Sequence, residues 1–490
     1  MGDCAILTAM RNSSRGPGQD RGLRSLSERV VTGVLPTDPP PSVLDLELLL
    51  SVETGPTPRR WVEASARTLE AILIARCHLD DVESALQLVD THFAEGRLRV
   101  PGSLHPATRS TLLAAASEVY SAAGQPRRAG LYAASAVAHA ATAPTRYRAH
   151  AVRALAYALN GEYDAAGQAI ERCHELAVEA GWARVYRDYS LILAEVLYAS
   201  AVLDAPALAR LSHELESTAP ADPFWQYTAR AADAMRALIT RDYMSGLALL
   251  TTLVGGADAL KSHTMVRGFA LGVFADTLLA RGEVRRALAV IEGAETPREH
   301  ALCYGMQRAA AYLALGRDRS ALNATDECIA TGADHCVRTL VPVLVRRSIA
   351  FLRLSNPAAA FASFEEAFGL RVGLGESLAP FIALPCEPLD QLLTMLVERR
   401  PDVADAVAAV RTGLAAVPTR VVAATLPALS PREERLALRL RGSSSLPQIA
   451  ADLQVSLNTV KSQLRSIYAK LEVSGREDAV AVLESQGFYV

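Results

Sequence analysis

The sequence predicts an all-α protein: an α-solenoid followed by a small helix-turn-helix domain. Three observations predict it. Apolar residues recur at helical spacing almost without interruption from Leu44 to Leu384, with no strand-like alternation of any length. A small residue followed five positions later by alanine returns at regular intervals through that region. Near the end of the chain, two short amphipathic runs flank a turn formed by Gln454 and Val455.

Taken in order, residues 1–43 are rich in Arg, Ser, Gly and Pro and end in Pro39-Pro40-Pro41, so a disordered arm is expected. Residues 44–411 form the helical-repeat region. Its signature reads Gly124 to Ala129, Gly161 to Ala166, Gly282 to Ala287 and Gly316 to Ala321, with weaker copies from Asp80 to Ala85 and Ser355 to Ala360. Turns near Leu203 and Arg241 fill the gap, and successive anchors lie 34 to 44 residues apart, the period of an α-solenoid. Glycine ends one helix in a left-handed C-cap. The alanine lets the next helix approach its partner closely. Gly161-Glu162-Tyr163-Asp164-Ala165-Ala166 resembles the turn of a tetratricopeptide repeat. Residues 412–428, with Pro418 and Pro427, read as a linker to a domain over 429–490.

Formal net charge is −3, so the chain as a whole is no general nucleic-acid binder. Charge is local instead. From Pro431 to Lys470 there are seven basic and three acidic residues; from Leu471 to Val490 there are one and four. The seven cysteines are scattered with no C-x-x-C pair, so reduced core cysteines are expected, with no zinc site and no disulfide framework. No secretory segment or membrane span is read, and a soluble cytoplasmic protein is expected. The three lysines, Lys261, Lys461 and Lys470, none of them preceded by glycine, exclude a P-loop. With no H-E-x-x-H or G-x-S-x-G either, neither catalytic residues nor a cofactor is expected. Aromatics such as Trp61, Trp182, Trp225, Tyr157, Tyr189 and Tyr227 are spread across the repeats, where core packing is expected of most and a concave ligand groove is the alternative. Lone histidines such as His92, His139, His174 and His213 read as surface or core residues.

The terminal run is the most specific. Ser456 is an N-cap before Val460, Leu464, Ile467, Tyr468 and Leu471, which share one helical face. Asn458, Lys461, Ser462 and Arg465 fall on the opposite face, and Thr459, Gln463 and Lys470 lie at its margins. Leu446 to Leu453 reads as the preceding helix, with Ile449, Ala450 and Leu453 facing inward. In such a unit the second helix enters the DNA major groove.

Leu429 to Glu433, Gln448 to Leu453, Val455-Ser456, Asn458 to Lys461, Ile467 to Leu471, Val473 and Arg476 to Val480 resemble the LuxR-type DNA-binding domain. The resemblance implies that Lys461, Ser462 and Arg465 approach base edges, and that Asn458, Thr459, Gln463 and Lys470 sit by phosphates. It also implies that a closing helix near Gly475 to Ser485 pairs two copies, giving a homodimer on double-stranded DNA. Arg435 stands where the family usually has Glu. Leu446-Pro447 replaces a polar pair, so the first helix offers no side-chain donors there. Gly375, Pro380-Phe381, Leu392-Leu393 and Leu396 resemble the segment before the DNA-binding domain of large MalT-like regulators, here without their ATPase module. Two functions fit these observations. One is a transcription regulator whose repeats sense a small-molecule or protein effector; the other is an interaction scaffold with a degenerate DNA-binding domain.

Overall fold

The computed structural model describes residues 17–52, 57–100, 103–182, 184–256, 261–294, 296, 300–372, 375, 377–382, 384–416, 429–442, 444–471, 473–485 and 488–489. Helices α1 (Pro17–Thr32) and α2 (Val43–Leu50) open it. Helix pairs follow: α3 (Glu63–His78) with α4 (Val82–His92), α5 (Pro106–Ala122) with α6 (Pro126–His139), α7 (Ala143–Asn160) with α8 (Tyr163–Ala180), and α9 (Tyr189–Val202) with α10 (Ala205–Thr218). Next come α11 (Pro223–Ile239) with α12 (Tyr243–Gly255), α13 (Thr264–Ala280) with α14 (Val284–Val290), and α15 (Gly305–Ala314) with α16 (Asp318–Asn323). After the short α17 (Asp326–Thr331), α18 (Val337–Arg353) pairs with α19 (Pro357–Val372), and α20 (Cys386–Arg399) and α21 (Ala404–Ala416) end the array. The strands among the described residues are a minimal hairpin in which Phe93 pairs with Leu98 and Ala94 with Arg97.

One local device joins every pair. Asp80, Gly124, Gly161, Leu203, Arg241, Gly282, Gly316 and Ser355 all have positive φ, between 59° and 94°. The next residue (Asp81, Gln125, Glu162, Asp204, Asp242, Glu283, Arg317, Asn356) donates its N–H to the carbonyl five residues back, at 2.8–2.9 Å. That bond closes the first helix. The same residue's carbonyl accepts the first hydrogen bond of the following helix, from a residue four positions on, at 2.8–3.1 Å. So a single residue ends one helix and starts the next. That donor is Ala85, Ala129, Ala166, Leu208, Gly246, Ala287, Ala321 or Ala360, and each is buried.

The array coils back on itself. The Asp80 carboxylate accepts from the Thr264 N–H and hydroxyl, both at 2.7 Å, and so caps α13 from 184 residues away. His78 Nε2 lies 2.7 Å from Asp222. Farther on, the Cys336 thiol and Arg338 Nε donate to the Leu159 carbonyl at 3.0 and 3.2 Å, and the Leu378 N–H to Ala201 O at 3.1 Å.

Two expectations are corrected. From Pro17 the first segment is no disordered arm. Leu23, Leu26, Val30 and Val31 share one face of α1 and join the core that holds Leu69 and Ile72, and Arg29 pairs with Asp45 at 2.6 Å. Residues 1–16 lie outside the described residues. At the other end α21 runs to Ala416, inside the expected linker, and the described chain resumes at Leu429. Four helices then form α22 (Pro431–Leu440), α23 (Leu446–Asp452), α24 (Leu457–Leu471) and α25 (Arg476–Ser485), around a core of their own. This unit meets the array where Arg285 and Arg317 pair with Glu434 and the Arg285 guanidinium lies 3.9 Å over the Phe488 ring.

The turns give a graded test. A Cβ at Gly282 meets no atom within 4 Å, so Gly282→Ala carries only the left-handed strain, about 1–2 kcal/mol. At Gly161 (φ 94°) a Cβ sits 2.7 Å from the Arg338 backbone nitrogen, so Gly161→Ala adds overpacking of ~1–3 kcal/mol. Thermal unfolding should therefore show a clearly larger loss for Gly161→Ala than for Gly282→Ala.

Candidate nucleic-acid interface

In α23 the Ser445 N–H donates to Gln448 Oε1 at 2.8 Å, and Pro447 sits in the first turn, where no N–H is needed. The helix closes as the array's helices do: Gln454 has φ 54° and Val455 N–H donates to Ala450 O at 3.0 Å. Here, however, the opening of the next helix passes to Ser456. Its carbonyl accepts from Val460 N–H at 3.1 Å, and its Oγ accepts from Thr459 N–H at 3.1 Å. This turn is thus one residue longer than those of the array.

Helix α24 buries Val460, Leu464, Ile467 and Leu471 against Leu436, Leu440, Ile449 and Leu483. Leu453 and Tyr468 are half-buried beside them. Asn458, Lys461, Ser462 and Arg465 are exposed, and Thr459 and Gln463 are partly so. These exposures hold with the helical array in place, so the array leaves this face open to solvent. Arg432, Arg435, Arg439 and Arg441 add further exposed positive charge to the unit.

Two side chains that sequence reasoning did not single out hold the unit together. Glu433 begins as a capping-box residue, accepting from the Ser430 N–H at 2.5 Å. Its carboxylate also accepts from Ser466 Oγ at 2.6 Å and Lys470 Nζ at 2.7 Å, which ties α22 to α24. Burial pushes this carboxyl up, but Lys470, Ser466 and Ser430 outweigh it and hold the pKa down at about 2. Arg476 spreads its guanidinium over the carbonyls of Leu440, Ser444 and Gly442 at 2.6–2.9 Å. It thereby satisfies the orphaned Leu440 carbonyl at the end of α22 and two carbonyls of the loop that follows. Lys470, expected by a phosphate, has its ammonium 2.7 Å from the Glu433 carboxylate.

Residues 427–483 match the bacterial regulatory proteins of the luxR family. The unit is a LuxR-type helix-turn-helix domain. Over 69 residues the chain is 42% identical to the "Probable transcriptional regulatory protein NarL" of two Mycobacterium tuberculosis strains, CDC 1551 / Oshkosh and ATCC 25618 / H37Rv. That match covers 14% of this chain and 32% of each relative. The chain thus spans about a third of the length of these relatives. No described helix is long and apolar enough to cross a membrane.

The array holds a cavity of its own, of about 970 Å³ with its mouth included. Ile74, Leu155, Leu159, Leu193, Met265 and Val266 supply an apolar wall. At one side the Tyr189 hydroxyl lies 2.9 Å from His263 Nδ1, and the Tyr189 and Trp225 rings are 5.2 Å apart. At another the buried Arg148 guanidinium is held by Asp188 at 2.5 Å and by Glu118. Tyr189 and Trp225, for which the sequence leaves both packing and a ligand groove open, line this cavity.

Because the folded state holds Glu433 at about 2 against an ordinary 4.5, its contribution is present above pH 4.5 and is lost as pH falls toward 2. An isolated fragment of residues 424–490 should unfold cooperatively. Its urea-measured stability should fall across that window, by about 1–2 kcal/mol once solvent screening is allowed for. Glu433→Gln should flatten the slope.

Proposed function

We propose that this protein is a transcription regulator that reads duplex DNA through α24. The observation that carries the reading is the division of that helix. One face is buried in the domain's own core; the other presents Asn458, Lys461, Ser462 and Arg465 to solvent beyond the array. An exposed arginine and lysine on one short helix suit major-groove readout, with Arg465 bidentate to a guanine and Lys461 at a base edge or phosphate. Thr459 and Gln463, at the margins, suit phosphate contacts. The relatives' name, a probable transcriptional regulatory protein, supports the same reading. Helix α25 is the surface on which two copies would pair across a two-fold site.

In this reading the array is the sensor. Its cavity has the mostly apolar walls of a small-molecule site, with one buried charged corner to orient a polar group. An effector there would bear on the contacts that hold the coil closed, because His78 and His263 line the cavity and the turn after His78 caps α13.

The test is binding of the full chain to its selected operator and to scrambled DNA at several salt concentrations. Arg465→Ala should lose about 1–3 kcal/mol on the operator, relax preference at one base pair, and change scrambled-DNA binding far less. If Lys461 meets a phosphate, Lys461→Ala should weaken both DNAs alike and lower the salt slope by about one unit. Unchanged affinities in folded Arg465→Ala would favour the scaffold reading instead.

A further inference from the structure

Four metal-ligating side chains that the DNA-reading function does not use converge inside the array. His300 and Cys303 come from the turn that leads into α15. Cys328 comes from α17, and His335 from the turn before α18. One donor atom from each lies within 4.8 Å of all the others, and all four residues are buried. The two sulfurs are 3.4 Å apart.

The polar bookkeeping around them is incomplete. His335 Nδ1 is fixed 2.8 Å from the Cys336 carbonyl, so it carries the proton and leaves Nε2 with a lone pair. His300 Nε2 sits 3.3 Å from Thr331 Oγ1. The other nitrogen of each ring, His335 Nε2 and His300 Nδ1, is buried with no hydrogen-bond partner. A buried polar atom left unpartnered is costly. Here two of them occur in one cluster with two thiols.

The backbone makes room for the cluster. A Cβ at position 305 would stand 2.9 Å from Cys328 Sγ and 3.3 Å from Cys303 Sγ, and that position is Gly305. His300 adopts φ 52°, a conformation that a side chain of this size rarely takes, and Thr339 Oγ1 donates to its carbonyl at 2.7 Å. The outer bonds from Thr331 and Cys336 are of the kind that orient metal-bound imidazoles.

We propose that His300 Nδ1, Cys303 Sγ, Cys328 Sγ and His335 Nε2 bind one zinc ion in a closed tetrahedral site that staples α15, α17 and α18. Two sulfurs and two imidazole nitrogens, all within 4.8 Å of one another, are a borderline-soft donor set that suits zinc once the nitrogens close in. With Zn–S near 2.3 Å and Zn–N near 2.0–2.1 Å, the edges of such a tetrahedron run from about 3.3 to 3.8 Å. The sulfurs need to part by only a few tenths of an ångström. All four donors come from protein, which leaves no open position, so the ion is structural. A Cys303–Cys328 disulfide would leave both histidine nitrogens unpartnered.

The test uses the full chain purified under reducing conditions without chelator. Elemental analysis should find one zinc per chain, and X-ray absorption a shell of two sulfurs and two nitrogens. Exchange with Co²⁺ should give thiolate-to-cobalt charge-transfer bands and the intense visible bands of a tetrahedral site. Cys303→Ser and Cys328→Ser should lose the zinc, while Cys386→Ser, at an exposed cysteine, should keep it. The wild-type cobalt spectrum decides the matter even if the cysteine variants fail to fold. Three results would overturn the proposal. One is a folded wild-type chain that retains neither zinc nor a cobalt–thiolate band after exposure to excess metal. Another is full zinc retention in a folded variant lacking both Cys303 and Cys328. The third is a Cys303–Cys328 disulfide found by mass spectrometry under the same reducing conditions.

Discussion

A left-handed residue between two helices, followed by one whose N–H closes the first and whose carbonyl opens the second, is the constraint on which this structure depends. It leaves the helices no slack, so each pair is antiparallel and tightly apposed, and the position five past the corner is buried. It also sets what lies outside the pair. Asp80 and Gly161 are corners that touch the starts of helices far along the chain, Asp80 by hydrogen bonds and Gly161 by close approach. The coil and its cavities follow from corners that both turn the chain and contact the next turn of the coil.

The LuxR-type domain uses the same closure and alters it by one residue. Val455 closes α23, but Ser456 opens α24. Separating those two tasks frees α24 from tight apposition to α23. Its apolar stripe is then shared with α22 and α25, and its polar face is left to solvent. Glu433 and Arg476 secure that arrangement from either side, one through Ser466 and Lys470, the other through the carbonyls that end α22 and begin the next loop.

Much of this was legible in the sequence because it is local. All eight expected corners are left-handed, including Leu203 and Arg241, where no glycine marks the turn and only the spacing did. The stripe and the polar face of α24 follow from helical period alone. What escaped depends on distant partners. The apolar stripe of α1 is visible at Leu23, Leu26, Val30 and Val31, but a composition rich in Arg, Ser and Gly outweighed it. Lys470 looks like a marginal member of the polar face until α22 brings Glu433 beneath it. The cluster at Cys303 is hidden because its halves are 25 residues apart and it starts as His-x-x-Cys. A cysteine-pair search passes over that pattern. The cavity is illegible for the same reason, since its walls come from elements more than a hundred residues apart.

The central claim is that DNA is read by the exposed face of α24 while the array stays outside the groove. Hydrogen exchange on the full chain, with and without a duplex that it enriches from a random pool, tests this most directly. Slowed exchange should concentrate over residues 456–466, with the corners of the array unchanged. Protection confined to the array, with 456–466 exchanging as in the free protein, would contradict it.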